Sequence, residues 1–375
     1  MAQYLYDLFW TDSFWLPQGY TWQSLQRRSD PPPTVFKACL ADLKYSFACA
    51  LVLFIIRHLL DRLLYRPLGC WLGLTDPAVY QPRTKEDRRL EMAFQNGKRS
   101  GKSVDYQALS RSIDRSEVFV SNWFRVRRNR DRSSQLTKFT ESAWQISFYS
   151  VSFLYGVAIL WNKPYLWSTI EIWRGWPEHH VTSDVYWYYM VELGFYWTAL
   201  VTVFSDTKRK DFKEMLLHHC ITIVLMVFSW SLNFTRIGAL ILALHDAVDP
   251  LFHLAKIGSY TKLRWLSDPS FVTFMTVWFV TRLILYPFRI VLTALTELES
   301  ECGISPALRG LQACLLVLQA LHVIWSYFIV KVAFRVVFKG NRQDSRSDSE
   351  ESTEECSETV KANGDSTVDS KAKST

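Results

Sequence analysis

Asp211-Phe-Lys-Glu-Met-Leu-Leu-His-His-Cys220 leads into an apolar run that ends near Ser231, and Arg236-Ile-Gly-Ala-Leu-Ile-Leu-Ala-Leu-His-Asp-Ala-Val-Asp249 makes up most of the next one. Both runs read as membrane helices from their apolar character. Yet the first carries His218 and His219, and the second carries His245, Asp246 and Asp249. A carboxylate near the bilayer centre costs ~2.5–3.5 kcal/mol on insertion scales. Several such groups in consecutive spans predict a polar site turned toward the inside of a helix bundle. The fold class that follows is all-α, a multi-pass membrane helix bundle.

Outward from this pair, the apolar pattern gives about seven transmembrane helices: roughly 41–60, 143–161, 184–204, 215–231, 236–253, 270–296 and 307–337. The fourth and fifth are short for a ~30 Å hydrocarbon core. They are joined by a tight turn at Leu232 to Thr235, and their polar residues predict enclosure by neighbouring helices. The aromatic content of 15% includes 16 tryptophans; Trp10, Phe14, Trp15 and Trp22 read as an interfacial cluster. The N-terminal stretch lacks a basic region and is broken by Asp7, Asp12 and Pro17, so it does not read as a cleavable signal peptide. The seven cysteines show no C-x-x-C spacing and read as small buried hydrophobes.

The net charge of +7 is uneven. Basic residues crowd between Arg57 and Lys138, which puts the connector after the first span in the cytosol. Alternation then places Lys208, Arg209, Lys210 and Lys213 on the same side, with Lys256, Lys262, Arg264, Lys331 and Arg335. The opposite loops are the Trp-rich 162–183 and the acidic Glu297 to Glu301. The N-terminus is thus expected to be lumenal and the C-terminus cytosolic. Asn233-Phe-Thr235 is a glycosylation sequon that falls in a turn close against the bilayer.

Residues 70–135 are soluble in character. Ser116-Glu-Val-Phe-Val-Ser-Asn-Trp-Phe-Arg-Val-Arg-Arg-Asn-Arg130 resembles the third helix of a homeodomain, with Trp123-Phe124 as its core pair. The asparagine that reads adenine in homeodomains is Val126 here. That substitution argues against sequence-specific DNA binding, and leaves a small helical module whose basic face (Arg125, Arg127, Arg128) suits phosphates or anionic lipid.

The polar cluster admits several chemistries. An imidazole serves as nucleophile or general base. Residues adjacent on a helix point about 100° apart, so His218 and His219 are expected to take different roles. Asp246 and Asp249, three apart, share a helix face; a carboxylate there suits orienting an imidazole. Arg282 reads either as a buried cation offsetting these acids or as an interfacial arginine that snorkels. A hydrogen-bond network that merely holds short helices together is the plainest alternative. A proton relay in a lipid transporter or lipid sensor is another. His245, Asp249 and His253 recur at four-residue spacing like metal ligands, but the chain lacks the His-x-x-His-His boxes of membrane di-iron hydroxylases, and no metal is expected.

The 211–220 and 236–249 stretches, with Ser229-Trp230 between them, are similar to the Lag1 motif of ceramide synthases, members of the TLC superfamily. Tyr186-Trp-Tyr-Tyr189, Phe195-Tyr-Trp197, Asp206 to Lys213, Thr281-Arg-Leu283, Arg127 to Asp131 and the tail Arg346-Ser-Asp348 look like the same family. The resemblance covers about residues 5–350, and the homeobox-like insert narrows it to a subset of animal ceramide synthases. It implies an endoplasmic reticulum enzyme that transfers a fatty acyl group from acyl-CoA to the amine of sphinganine or another sphingoid base, with acyl-CoA as co-substrate and no bound cofactor. It also implies homo- or heterodimers with related synthases. His218 would be acylated and His219 would support it, with Asp246 and then Asp249 behind them. Arg282, Lys208, Arg209, Lys210 and Lys213 would bind substrate. The apolar and aromatic residues of spans three, six and seven are candidates for an acyl tunnel.

The domain organisation expected is a lumenal segment 1–40, a first span 41–60, the insert 67–132, a TLC catalytic domain 136–338 and an acidic, Ser-rich tail 340–375 with too few apolar residues to fold around. Ser345, Ser347 and Ser352 each have an acid three residues on, as acidophilic kinases favour. In the family, chain-length preference is associated with the loop here spanning Ala294 to Ser305. After Asp249 the family commonly continues with an aromatic; Pro250 and His253 depart from this, and the proline is expected to end or kink the helix just past the acids.

Overall fold

The computed structural model describes residues 10–25, 36–75, 85–100, 104–130, 134–207 and 209–339. Lys208, Ser345, Ser347, Ser352 and the tail 340–375 lie outside the described residues. Among those described, the chain is helical and forms no strand.

The bundle is built from α1 (Lys44–Leu60), the insert helices α2 (Lys85–Ser100), α3 (Tyr106–Ile113) and α4 (Glu117–Arg130), then α5 (Gln135–Leu160), α6 (Ser183–Thr202), α7 (Phe212–Ser231), α8 (Thr235–Asp246), α9 (Asp249–Tyr260), α10 (Arg264–Trp278), α11 (Leu292–Cys302) and α12 (Pro306–Lys339). Five segments are long and apolar enough to cross a membrane: Gln135–Leu160, Phe212–Ser231, Thr235–Tyr260, Arg264–Cys302 and Pro306–Val336. With 26 residues, α5 reaches about 39 Å at 1.5 Å per residue, more than a ~30 Å core requires. The other two expected spans are helices as well. α1 counts only 17 residues but continues through a π-helical turn, Asp61–Tyr65, and on to Trp71. α6 carries six tyrosines and tryptophans, which dilute its apolar character.

α1 and α6 pack side by side because Gly194 lacks a side chain. A Cβ there would stand 2.8 Å from Cys49 Cβ and 2.9 Å from Ser46 O. Thr198 Oγ1 and Trp197 Nε1 then reach across to Ala50 O and Ser46 Oγ, both at 3.2 Å. α9 meets α10 as closely, with Gly258 against the backbone of Ser267. The helix begun by α10 runs on to Cys302 through a π-helical stretch, Phe279–Val291, that contains Pro287. Pro287 has no N–H to give the preceding turn, and the wider winding absorbs that gap. The acidic loop expected after the sixth span is therefore mostly helix. Only Gly303 to Ser305 turn the chain, with Gly303 at φ 79°.

The fifth span breaks between the two acids rather than after them. α8 stops at Asp246, Ala247 and Val248 are irregular, and α9 starts at Asp249. Pro250 sits in the first turn of α9, where a missing N–H costs no intrahelical bond.

The insert folds on its own small core of Leu90, Phe94, Ile113, Val120 and Phe124. Asp105 caps α3, and Arg127 Nε donates to Glu91 Oε2 at 2.7 Å to tie α4 to α2. Val126 is exposed on the outer face of α4. At the end of the bundle formed by the α7–α8 turn, Trp15 stacks on Phe228 at 4.5 Å and Ser305 Oγ donates to Trp15 O at 2.9 Å. Lys37, 1% exposed, donates to Glu178 Oε1 and to Ser24 O, both at 2.7 Å. The N-terminal aromatic cluster is thus packed as a cap on the bundle.

Candidate active site

α7 and α12 bring His218 against Trp325, with ring centroids 5.4 Å apart. On its other sides lie His219 at 5.7 Å, His245 of α8 at 6.4 Å and Tyr196 of α6 at 6.5 Å. Tyr196 also faces His219, at 6.1 Å. No hydrogen bond to either ring of His218 or His219 occurs among the described residues, and the Nδ1 atom of each is buried without a partner. Both histidines line one cavity. They are about 100° apart on the helix, and the cavity is wide enough to take in both.

That cavity has a volume of about 230 Å³ and runs from His218, His219, His245 and His322 to a basic mouth. Arg209, Lys138 and Lys256 line the mouth, and Arg282 and Asp249 line the interior. Arg209 lies 3.3 Å from Asp211 and 5.9 Å from the Phe252 ring, over which Lys256 also sits, at 4.7 Å. Lys210 and Lys213 are exposed and do not line the cavity. Of the expected cation run, only Arg209 is placed at the site among the described residues. Lys138 and Lys256 take the other two positions.

A second cavity, about 70 Å³, is almost wholly apolar and starts where the first ends, at Tyr196 and His245. It extends past Met226, Ile237 and Leu315 toward Leu298 and Leu308 at the opposite end of the bundle. Its walls come from α6, α7, α8, α11 and α12, of which α6, α11 and α12 belong to the third, sixth and seventh spans.

The carboxylates are arranged differently from the sequence expectation. Asp246 is fully buried, and Ser152 of α5 donates to its Oδ2 at 2.7 Å. The same hydroxyl contacts Glu192 of α6, also fully buried, and Tyr188 OH lies 3.5 Å from Asp246. No hydrogen bond joins Asp246 or Asp249 to His218 or His219 among the described residues. Asp246 instead belongs to a Ser152-bridged carboxyl pair with Glu192. The cause lies in the packing of α5 and α6, which one helix face cannot reveal.

Arg282 is 2% exposed, so it does not snorkel. Its Nη1 donates to Leu244 O at 2.7 Å and its Nη2 to His245 O at 2.8 Å. These carbonyls end α8, where the break thins the backbone donors: Val248 N reaches only His245 O, at 3.4 Å. Arg282 caps the broken helix and holds positive charge within electrostatic range of Asp249 and Asp246. Beside it, His245 Nδ1 is 2.7 Å from Ile241 O, and its Nε2 is 3.2 Å from His322 Nε2.

His322, Glu192 and Ser152 were not anticipated. His322 and Glu192 are lone ionisable residues inside apolar spans, and the rule that singled out His218 applies to each of them. The described residues contain no cluster able to hold a metal ion.

Asn233 of the sequon is fully buried, with Nδ2 donating to Pro177 O at 2.8 Å and His179 O at 3.1 Å. In the folded chain this amide is closed to glycosylation.

Residues 138–331 match the TLC domain family, a stretch that takes in α5 through most of α12. Human ceramide synthase 5 is 36% identical over 336 residues, covering 90% of this chain and 84% of that one. Human ceramide synthase 4 is 36% identical over 340 residues, with coverage of 90% and 84%. Human ceramide synthase 3 is 35% identical over 340 residues, with coverage of 90% and 86%. The matched region contains both histidines of α7, the broken α8–α9 span and Arg282, and the chain belongs to the ceramide synthases of the TLC-domain family.

Proposed function

We propose that the chain transfers a fatty acyl group from acyl-CoA to the amine of sphinganine or another sphingoid base, through an acyl-imidazole on His218. The observation that carries this reading is the meeting of two unlike cavities at Tyr196 and His245, beside His218. One is apolar and suits a hydrocarbon chain. The other is polar and opens among Arg209, Lys138 and Lys256, which suit the phosphates of coenzyme A. A thioester spanning both would place its carbonyl at the histidines.

In this mechanism a ring nitrogen of His218 attacks the thioester carbonyl carbon. The C–S bond breaks, and the coenzyme A sulfur leaves and takes up a proton. The amine of the sphingoid base then attacks the acyl-imidazole carbon. The C–N bond to His218 breaks, the amide forms, and the proton lost by the amine passes to an imidazole, for which His219 is the nearest partner. Because neither ring is committed to a hydrogen bond among the described residues, both are available to take up and release protons. The basic mouth faces the cytosol by the positive-inside rule, where acyl-CoA is found, and the endoplasmic reticulum is the membrane this reading assigns.

The test is intact-protein mass spectrometry after incubation with acyl-CoA of several lengths, beside His218→Ala. The expected result is an acyl-sized mass gain, absent in the variant and discharged by sphinganine into dihydroceramide. Product without adduct would reduce His218 to a general base. Neither adduct nor product from folded protein would overturn the acyltransferase reading.

A further inference from the structure

A third cavity, about 190 Å³, lies at the other end of the bundle from Lys138 and Arg209. It is formed where α5 ends and α6 and α8 begin, and it shares no lining residue with the two cavities of the acyl-transfer site. Lys163, Tyr165, His180, Thr182, Thr235 and Arg236 line it.

Its donors converge. Thr182 is the N-cap of the 20-residue α6, and Thr235 is the first residue of the 12-residue α8, so two helix N-termini open on the cavity. Neither N-cap side chain covers the backbone N–H groups of its helix. Lys163 Nζ donates to Thr182 Oγ1 at 3.2 Å, which holds the ammonium at the rim of α6. Arg236 stacks its guanidinium 5.6 Å from the Tyr165 ring centroid and spends Nη1 on Glu171 O and Arg174 O. Its Nη2 and Nε have no protein partner among the described residues. His180 Nδ1 accepts from Phe36 N at 2.9 Å, so its proton sits on Nε2 as a further donor. Thr235 is 2% exposed and Tyr165 is 8% exposed, yet neither hydroxyl has a hydrogen-bond partner among the described residues.

Glu171, which also lines the cavity, and Asp184 beside it are already engaged. Glu171 Oε1 accepts from Arg174 at 2.7 Å, and Asp184 accepts from Val185 N at 2.8 Å while standing 3.9 Å from Lys163. Two cations, the uncapped N-terminus of α8 and two unpartnered hydroxyls facing one space make an anion site. A tetrahedral oxyanion answers hydrogen-bond donors that come from several directions.

We propose that this cavity binds a phosphate group. Its place at the helix ends, level with exposed Trp161 and Trp167, is headgroup depth. A phospholipid headgroup and free phosphate share the required chemistry.

The experiment measures heat stability of the purified full chain in detergent while titrating three probes: dihexanoyl phosphatidic acid, dihexanoylglycerol and inorganic phosphate. Lys163→Gln and Tyr165→Phe are run beside it, and ceramide synthesis by each variant shows that it is folded. The expected result is saturable protection by phosphatidic acid, none by dihexanoylglycerol, and about tenfold weaker apparent affinity in Lys163→Gln, as loss of one charge-assisted bond implies. Tyr165→Phe weakens binding less. Protection by inorganic phosphate as well assigns the site to phosphate of either source; protection by phosphatidic acid alone assigns it to a headgroup. Equal protection by dihexanoylglycerol, no saturable protection, or unchanged affinity in folded Lys163→Gln would overturn the proposal.

Discussion

His245 and His322 face each other across α8 and α12 with their Nε2 atoms 3.2 Å apart. His245 Nδ1 lies 2.7 Å from Ile241 O and must donate to it, so in the neutral pair His245 Nε2 accepts and His322 Nε2 donates. Both rings pack on Tyr286, at 5.5 and 4.8 Å. The Ile241 contact fixes the tautomer of His245, the one histidine among the described residues that lines both cavities beside His218.

His322→Leu is expected to destabilise the chain by roughly 1–3 kcal/mol, because His245 Nε2 is left a buried acceptor without a donor. His322→Gln, which restores an N–H, is expected to recover most of the loss. Thermal unfolding in detergent reads the difference, and equal melting of the two variants would show that the contact contributes packing alone.

Arg282 answers two carbonyls with one planar fork, a geometry that an ammonium does not reproduce. Arg282→Lys is expected to lower thermal stability and acyl transfer together. Arg282→Ala is expected to cost about 3–5 kcal/mol, the range for breaking a buried charged network. A size-exclusion profile after graded heating separates the variants. An Arg282→Ala protein as heat-resistant as the wild type would rule out the capping role.

Ser152 has one hydroxyl proton but contacts both Glu192 and Asp246. It can donate to only one of them, so the other contact needs a proton from the carboxyl side. Glu192→Gln supplies such a donor with the same shape and is expected to fold and melt near the wild type. Glu192→Leu removes one partner of Ser152 and leaves the Ser152–Asp246 bond alone in apolar surroundings, and a loss of about 1–3 kcal/mol is expected. The ordering Gln above Leu in a melting series is the check.

The polar pairs in α7 and α8 were legible in the sequence because two or more charged-type residues interrupt runs that otherwise have none. Glu192 met the same rule but sat among tyrosines and tryptophans, which made its span look half-polar and its presence ordinary. His322 met it too, but as a single histidine it lacks the pairing that marks His218 and His219. The partners of Asp246 were out of reach for a different reason. Helix periodicity shows which residues share a face, but Ser152 and Glu192 come from helices distant in sequence whose rotation is set by packing. The same limit hid the capping role of Arg282, since its guanidinium comes from the sixth span to donate to Leu244 O and His245 O at the break in the fifth.

Asn233 forms a sequon by its neighbours, but its amide is consumed inside the fold. Cell-expressed chain is expected to show no mobility change on deglycosylation. Asn233→Ala, which leaves the carbonyls of Pro177 and His179 without their donor, is expected to lower thermal stability by roughly 1–3 kcal/mol. A glycan on the folded wild type would contradict the buried placement.

His179 gives the loop between α5 and α6 a pH dependence. It is fully buried, its Nε2 contacts Arg174 O at 3.1 Å, and its pKa is lowered to about 4, first by burial and then by the Arg236 charge. An unfolded histidine titrates near 6.5, so between these values the unfolded chain binds the additional proton. Stability from this group is therefore complete above about pH 6.5 and declines as pH falls toward 4, by at most ~1.4 kcal/mol per pH unit. His179→Gln keeps an N–H for Arg174 O and removes the titration. Melting temperatures taken at pH 7.5, 6 and 5 are expected to fall further for the wild type than for His179→Gln. The gap between the two should change across that window and stay constant above it. A gap that does not change with pH would show that folding leaves the His179 titration unchanged.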